Sequence, residues 1–269
     1  MSATPQPAAT VILVRDAGSG PEVLLIERHP RSDFLPDFYV FPGGRVEEGD
    51  AALTERVHGV SREQAAARIP SVAPEAALSF FVAAIRETFE EAGILLARRR
   101  GANDLIDAEA TRDLARHRLA LQAGDLDFGR FVEAEDLELA ADALSVHAHW
   151  ITPEAVPRRF DTLFFCAVAP PGQLAVHDGV ETTSHVWIRP QEALEQAEKG
   201  ERQIIFPTAS NLRTLCGWTR AREAMAASRR RPVVAVLPSV ETREGRRMLV
   251  IRPDAGYEIT CEALPESGA

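Results

Sequence analysis

One segment limits the fold more than any other: residues 75–92, the longest clean helical pattern in the chain, closed by Gly93. Leu78, Val82, Ile85 and Phe89 recur at spacings of three and four and gather on one side. A helix turns about 100° per residue, so Glu90 and Glu91 fall about 60° and 40° to either side of Glu87. The three carboxylates therefore share the opposite face. A fold built on this helix has to bury one side and leave the other facing something that tolerates negative charge. Pro74 suits its start and Gly93 a left-handed cap at its end. Ala83 and Ala84 lie one turn before the carboxylates and leave space beside them, whereas Phe80 falls on that side against the pattern.

Two uses fit such a face. In a solvated face, Arg86 and Glu90 make an i,i+4 pair of about 0.3 kcal/mol, offset by the like-charge neighbours around Glu87. In a metal-binding face, hard divalent cations take carboxylate oxygens and share their coordination with water and substrate phosphates. The helix alone does not choose between them.

The flanking pattern is mixed. Strands are expected at 10–16 and 22–28, joined as a hairpin through AGSGP, with a Pro- and Gly-rich loop over 29–50. A short helix at 61–69 carries Ser61 and Gln64 in capping-box positions. Residues 98–145 are expected to be mainly helical. Strands follow at 159–169 and 183–189, helices at 190–200 and 207–228, and a strand pair at 232–238 and 247–253. This order predicts α/β or α+β architecture on a mixed sheet.

The loop upstream chooses. PGGRVEEGD (42–50) followed by RETFEEAGI (86–94) resembles the Nudix box, G-x5-E-x7-R-E-U-x-E-E-x-G-U with U aliphatic. Gly44 matches the opening glycine, and Arg86, Glu87, Glu90, Glu91, Gly93 and Ile94 match the second half. Asp50 stands at the first glutamate and Thr88 at an aliphatic position. Between Asp50 and Arg86 lie 35 residues where the box has seven, a net insertion of 28. Long surface loops are tolerated because closure entropy grows slowly with length. A box interrupted here is similar to that of the peroxisomal coenzyme A diphosphatase branch, as are 150–172, 181–194 and FPTASNLRTL.

The resemblance implies an α/β/α sandwich around a mixed sheet over 8–200, with 51–85 inserted in the box. Residues 201–269 would be a helix and strand extension packed on the same domain. It implies a Mg²⁺- or Mn²⁺-dependent hydrolase that cleaves a nucleoside diphosphate linked to another moiety, with CoA or acyl-CoA the first choice. ADP-ribose, NADH, nucleotide sugars and a nucleotide-binding regulator without turnover remain open. Glu87, Glu90 and Glu91 are the implied metal ligands, with the Gly44 carbonyl. Glu87 or Glu90 is the implied base, and Arg86 its anchor by a salt bridge. Glu181 lies in a loop before a strand, where it is either a further base or ligand or a solvated carboxylate. Gly43 and Gly44 allow close backbone approach to phosphate. Arg28, His29, Arg31, Arg158 and Arg159 are candidate phosphate or adenine contacts, of which Arg28 and Arg159 lead. His147 and His149, at i,i+2, are read as structural, and Phe34, Phe38 and Tyr39 as packing. The inserted segment is expected to form a lid or one wall of the pocket.

Net charge is -10, so no general nucleic-acid surface is expected, and an anionic substrate needs local cations. Cys166, Cys216 and Cys261 are widely spaced and expected to be reduced. No apolar run approaches the about 20 residues of a membrane span. The first ten residues are expected to be a frayed start without a leader, and PESGA at the end differs from a Ser-Lys-Leu signal. A cytoplasmic enzyme without membrane contact, possible as a homodimer, is the resulting expectation.

Overall fold

The computed structural model describes residues 3–32 and 34–264. Residues 1–2 of the expected frayed start, and the PESGA tail at 265–269, lie outside the described residues. The rest of that start is ordered: β1 (Gln6–Ala17) pairs in parallel with 160–168 from Gln6 onward. β1 and β2 (Gly20–Arg28) form the expected hairpin, closed at Ala17 and Gly20. Two short strands, β3 (Tyr39–Val40) and β4 (Gly43–Arg45), lie against β2 and β1.

The inserted segment is folded. It holds the end of α1 (Glu48–Ala52), then β5 (Val57–His58) and α2 (Arg62–Arg68). Ser61 caps α2 as expected: its hydroxyl accepts from the Gln64 amide at 3.2 Å, and the Gln64 side chain accepts from the Ser61 amide at 2.9 Å. The glutamate helix is α3 (Ala77–Ala92). It ends at Gly93, whose φ of 70° suits a residue without Cβ and whose amide bonds the Phe89 carbonyl at 2.9 Å.

The two-faced reading of this helix is corrected. Every residue of α3 except Glu87 and Glu90 is buried, including Arg86 and Glu91. The outer side is covered by α2, whose Ala65 and neighbouring Ile69 share a core with Phe80, Phe81 and Phe89. Phe80 thus has an apolar partner where the wheel gave it none. Thr88 satisfies its buried hydroxyl on the Ala84 carbonyl at 2.7 Å, so a polar residue is tolerated at the aliphatic position.

Residues 98–145 are mainly helical, as expected, but also carry strands. They comprise β6 (Ala97–Arg99), α4 (Ala108–Leu114), α5 (Arg118–Gln122), α6 (Phe128–Ala134) and β7 (Leu137–Ala140), followed by β8 (Ser145–Ile151). β5, β7 and β6 form a small separate sheet that ties the insertion to this segment. β9 (Phe160–Val168) and β10 (Thr182–Ile188) are close to expectation. After α7 (Pro190–Glu198), the single helix expected over 207–228 is two, α8 (Phe206–Leu215) and α9 (Ala221–Arg230). The break holds Gly217 at φ 86°, and the Ala221 amide is capped by Asp16 Oδ1 at 2.7 Å.

The final strand pair is also corrected. The first segment yields only β11 (Ala235–Val236), parallel to β8. The hairpin is β12 (Ser239–Arg243) with β13 (Arg246–Val250), turning through Glu244 and Gly245, both at positive φ. β14 (Cys261–Ala263) completes that sheet.

The main sheet runs β10-β2-β1-β9-β8-β11 and mixes parallel and antiparallel pairs. Its strands alternate between two cores. Val11, Leu13, Leu163 and Phe165 face α3, while Ile12, Val14, Phe164 and Cys166 face α7, α8 and α9. Burial on both faces makes the α/β/α sandwich, and its α3 side carries the site.

Candidate active site

The carboxylate cluster forms where the end of α3 meets the glycine loop of β4. Thr10 and Ala9 of β1 pair with Gly43 and Gly44 and fix that loop. A methyl group on Gly43 would stand 2.4 Å from the Ala9 carbonyl oxygen, and one on Gly44 would stand 2.5 Å from Glu87 Oε1. Backbone therefore excludes a side chain at the first glycine, and one at the second would displace the Glu87 carboxylate. The Gly43 amide donates to Glu91 Oε2 at 2.7 Å.

Arg86 organises the other carboxylates. Its Nε and Nη2 reach Asp50 Oδ1 and Oδ2 at 2.9 and 3.1 Å, and Nη2 also bonds the Arg45 carbonyl at 2.8 Å. Its Nη1 bonds Glu87 Oε1 at 2.8 Å and Glu90 Oε2 at 3.2 Å. Burial works against this guanidinium, but Glu87, Asp50 and Glu90 together hold its pKa above the ordinary value. Asp50 closes its own ring through the Glu47 amide at 2.8 Å. The last turn of α3 is held at the Glu90 carbonyl, which accepts from Arg118 Nη2 at 2.9 Å and from the Gln122 amide group.

The cluster is short of positive charge. Burial pushes the Glu87 carboxyl up to about 7, with Arg86 pulling it down and Glu90 pushing it up. Burial likewise takes Glu90 to about 7 against the pull of Arg86. Glu91 is driven well above the ordinary range, first by burial and then by Glu87. A cation would relieve this crowding, and the donors are the hard oxygens that Mg²⁺ and Mn²⁺ prefer. Among the described residues no group of three acidic, His or Cys side chains stands ready as a complete metal cage. Ions that keep water and substrate phosphate in their shell need only one or two protein carboxylates, so the donor set fits.

These groups line a cavity of about 620 Å³ with Gly43, Gly44, Arg28, Arg45 and Glu181. Arg28 is held there by the Phe34 carbonyl at 2.9 Å. Glu181 is exposed at the rim. Its loop is shaped by Asp178, whose Oδ1 accepts from the amides of Val180, Glu181 and Thr182 at 2.7, 3.0 and 2.9 Å. The Glu181 carbonyl accepts from the His29 amide at 2.8 Å, tying this loop to the one before the glycines.

Arg159 is not in the cavity. It is buried at the foot of β9, bonding the Thr152 carbonyl at 3.0 Å and the Ala3 carbonyl at 2.8 Å. Its neighbour Arg158 lines the cavity instead, 5.4 Å from the ring centre of Phe160, which packs edge-on against Phe34. The chain bends at Arg158 before entering β9, and only Arg158 of the pair reaches the cavity.

The inserted segment is not the expected wall. Leu53 is the inserted residue that reaches the lining; the wall is made by 121–129, with Leu121, Gln122, Leu126 and Phe128. The pattern of α5 and α6 carries no chemical signal that would have marked this. His147 and His149 are structural, as read. A register shift beside His147 turns it onto Ser228 and Thr214 at 2.8 and 2.9 Å. His149 links Asp161 to Ser71 of the insertion. The three cysteines are free, and no helix among the described residues is long and apolar enough to cross a membrane.

Comparison with known proteins agrees with this geometry. Residues 54–215 match the family described as the NUDT19 Nudix domain. The chain is 28% identical over 235 residues to the acyl-coenzyme A diphosphatase NUDT19 of Xenopus laevis, covering 75% of this chain and 61% of that one. For the Gallus gallus protein of that name it is 29% over 233 residues, covering 74% and 62%. The chain thus spans about three fifths of the length of these relatives. The crystal structure of a Nudix hydrolase from Alicyclobacillus acidocaldarius superposes with a TM-score of 0.64 at 27% identity, over 83% of this chain and 96% of that one. With more than half its length matched to the family, and with Arg86, Glu87, Glu90 and Glu91 gathered against the glycine loop, the chain belongs to the NUDT19 Nudix domain family.

Proposed function

We propose that the chain is a divalent-metal-dependent diphosphatase that hydrolyses CoA or acyl-CoA to 3',5'-ADP and the corresponding 4'-phosphopantetheine. The observation that carries this reading is one cavity with Glu87, Glu90, Glu91 and Glu181 on its lining and with Arg28, Arg45 and Arg158 on the same lining. Carboxylates to hold cations and guanidiniums to hold phosphate are what a dianionic anhydride requires. The names of the relatives support the choice of acyl-CoA among nucleoside diphosphate derivatives.

Glu87, Glu90 and Glu91 would hold Mg²⁺ or Mn²⁺, with the Gly44 backbone beside them. When bound, such an ion neutralises the diphosphate and lowers the pKa of coordinated water. Glu87 or Glu90 takes the proton of the attacking water. The water oxygen bonds to phosphorus as the bridging P–O bond breaks, and the electron pair leaves with the departing phosphate. Arg86 keeps Glu87 and Glu90 in place and lies behind them on Asp50. Arg28 and Arg158 orient the substrate phosphates, and Phe34 and Phe160 offer aromatic surface to its base.

Product analysis tests this directly. The protein with Mg²⁺ or Mn²⁺ is given CoA, acetyl-CoA, ADP-ribose, NADH and a UDP-sugar, beside a Glu91→Gln control. Preferential release of 3',5'-ADP from the CoA compounds, absent in the control, is expected. Preference for another panel member overturns the substrate, and no turnover of any member overturns the enzyme.

A further inference from the structure

A second cavity, of about 250 Å³, lies between α8 and the C-terminal segment and shares no lining residue with the first. It is lined by Ser210, Arg213, Arg231 and Tyr257, with Glu258 the acid on its wall. Three polar atoms here are buried without a hydrogen-bond partner: Ser210 Oγ, Arg213 Nη1 and, beside them on α8, Asn211 Nδ2. Ser210 is 1% exposed and Asn211 0%. Buried groups of this kind ordinarily find partners, and each one left without costs about 1–3 kcal/mol.

Tyr257, Arg231 and Thr214 on the same lining already have partners. Tyr257 OH accepts from Trp150 Nε1 at 2.9 Å and donates to Asn211 Oδ1 at 3.0 Å, which turns the Asn211 amide nitrogen away from its own oxygen's partner. Arg231 lies over the Tyr257 ring at 4.7 Å and gives Nη2 to the Gly256 carbonyl at 2.8 Å. Thr214 is taken by His147. What remains is a lining with two guanidiniums and one carboxylate, Glu258, while Glu262 lies close enough for the Arg213 charge to act on it. A hydroxyl and guanidinium donors on the lining of a small concave space are the chemistry that recognises an oxyanion.

We propose that this cavity is a second ligand site, taking a small oxyanion, a phosphate or a carboxylate, on Ser210 and Arg213. Its volume admits a fragment and not a dinucleotide. α8 joins it to the first cavity, because Ile205 and Thr208 line that one and Ser210 and Arg213 line this one.

Thermal unfolding and titration calorimetry of the whole chain test the site, with phosphate and succinate as probes and chloride at matched ionic strength as reference. A ligand at ten times its Kd raises Tm by about 3 °C for a chain of this size. The shift is expected to vanish in Arg213→Met and Ser210→Ala, and to persist in Glu87→Gln, which alters the first cavity alone. Response to phosphate or to succinate identifies which oxyanion is preferred. A shift no larger than chloride gives, or one kept in Arg213→Met and lost in Glu87→Gln, overturns the proposal. Should either α8 variant fold poorly, crystals of the unaltered protein grown with phosphate decide: an anion within hydrogen-bond distance of Ser210 Oγ and Arg213 Nη1 upholds the site, and its absence overturns it.

Discussion

Asp50 and Arg86 face each other through two parallel contacts, 2.9 and 3.1 Å, although 36 positions separate them. Both side chains are nearly sealed from solvent. Removing one member of a buried pair costs about 3–5 kcal/mol, and Glu87 and Glu90 leave Arg86 partly compensated here. Asp50→Asn should therefore lose about 3 kcal/mol in urea unfolding and most of the activity. Asp50→Glu, which restores the motif residue, should not improve the protein. The extra methylene disturbs carboxylate oxygens already bonded to Arg86 and the Glu47 amide and costs about 1–2 kcal/mol. A Glu variant as stable as the parent would show that the pocket has slack.

Gly43→Ala and Gly44→Ala should fail differently. At Gly43 the new methyl meets the backbone of β1, so stability falls and the fold suffers first. At Gly44 it meets the Glu87 carboxylate, which a side-chain rotation relieves. The expected result is a turnover loss of at least about tenfold with Tm changed by only about 2–4 °C, a barrier change of about 1.4 kcal/mol or more. Equal losses of Tm in the two variants would refute the distinction.

Asp178 holds the loop that carries Glu181. Asp178→Ala frees three backbone amides and should speed hydrogen exchange at Val180, Glu181 and Thr182. Turnover should drop several-fold while Kd for the divalent ion stays within about twofold, since Glu87, Glu90 and Glu91 are untouched. A variant with unchanged exchange at these three amides removes the argument.

His147 sets an acid limit on stability. Burial, and then the Arg231 charge, lower its pKa from the ordinary 6.5 to about 3. Above 6.5 the ring is neutral in both folded and unfolded chains and costs nothing. As pH falls from 6.5 towards 3 the unfolded chain takes up a proton that the folded one refuses, and stability is lost by a few kcal/mol in all. His147→Gln should be less stable at pH 8 but flatter between pH 6.5 and 3. Denaturant midpoints across that range measure the slope, and parallel curves for the two proteins would rule His147 out.

How far the site was legible depended on distance along the chain. Glu87, Glu90 and Glu91 sit within two turns of one helix, so spacing alone brought them to one side, and Gly44 followed from the motif. The role of Asp50 was hidden, because the insertion removes the short spacing that ordinarily reveals such a partner. Arg158 and Arg159 could not be told apart, since which of two adjacent residues points inward depends on the bend that precedes β9. β8 was missed for a related reason. Its buried histidines break the apolar alternation, and their partners Ser228, Thr214, Asp161 and Ser71 lie 12 to 81 positions away. The break between α8 and α9 was visible as Gly217, but the continuing amphipathic pattern hid it.

The enclosure of α3 has a consequence for how the chain comes together. Its outer face is covered by α2, and the insertion is secured by β5 pairing with Leu139 and Ala140 of β7. The Leu13 and Phe165 side of its inner face is complete only when β9 has joined β1. During synthesis the glutamate helix therefore emerges with apolar surface on both flanks, and stays so until about seventy further residues have left the ribosome. The segment that bears the chemistry thus gains its finished environment well after it is made, and an arrested chain that stops before β9 leaves apolar surface open to aggregation.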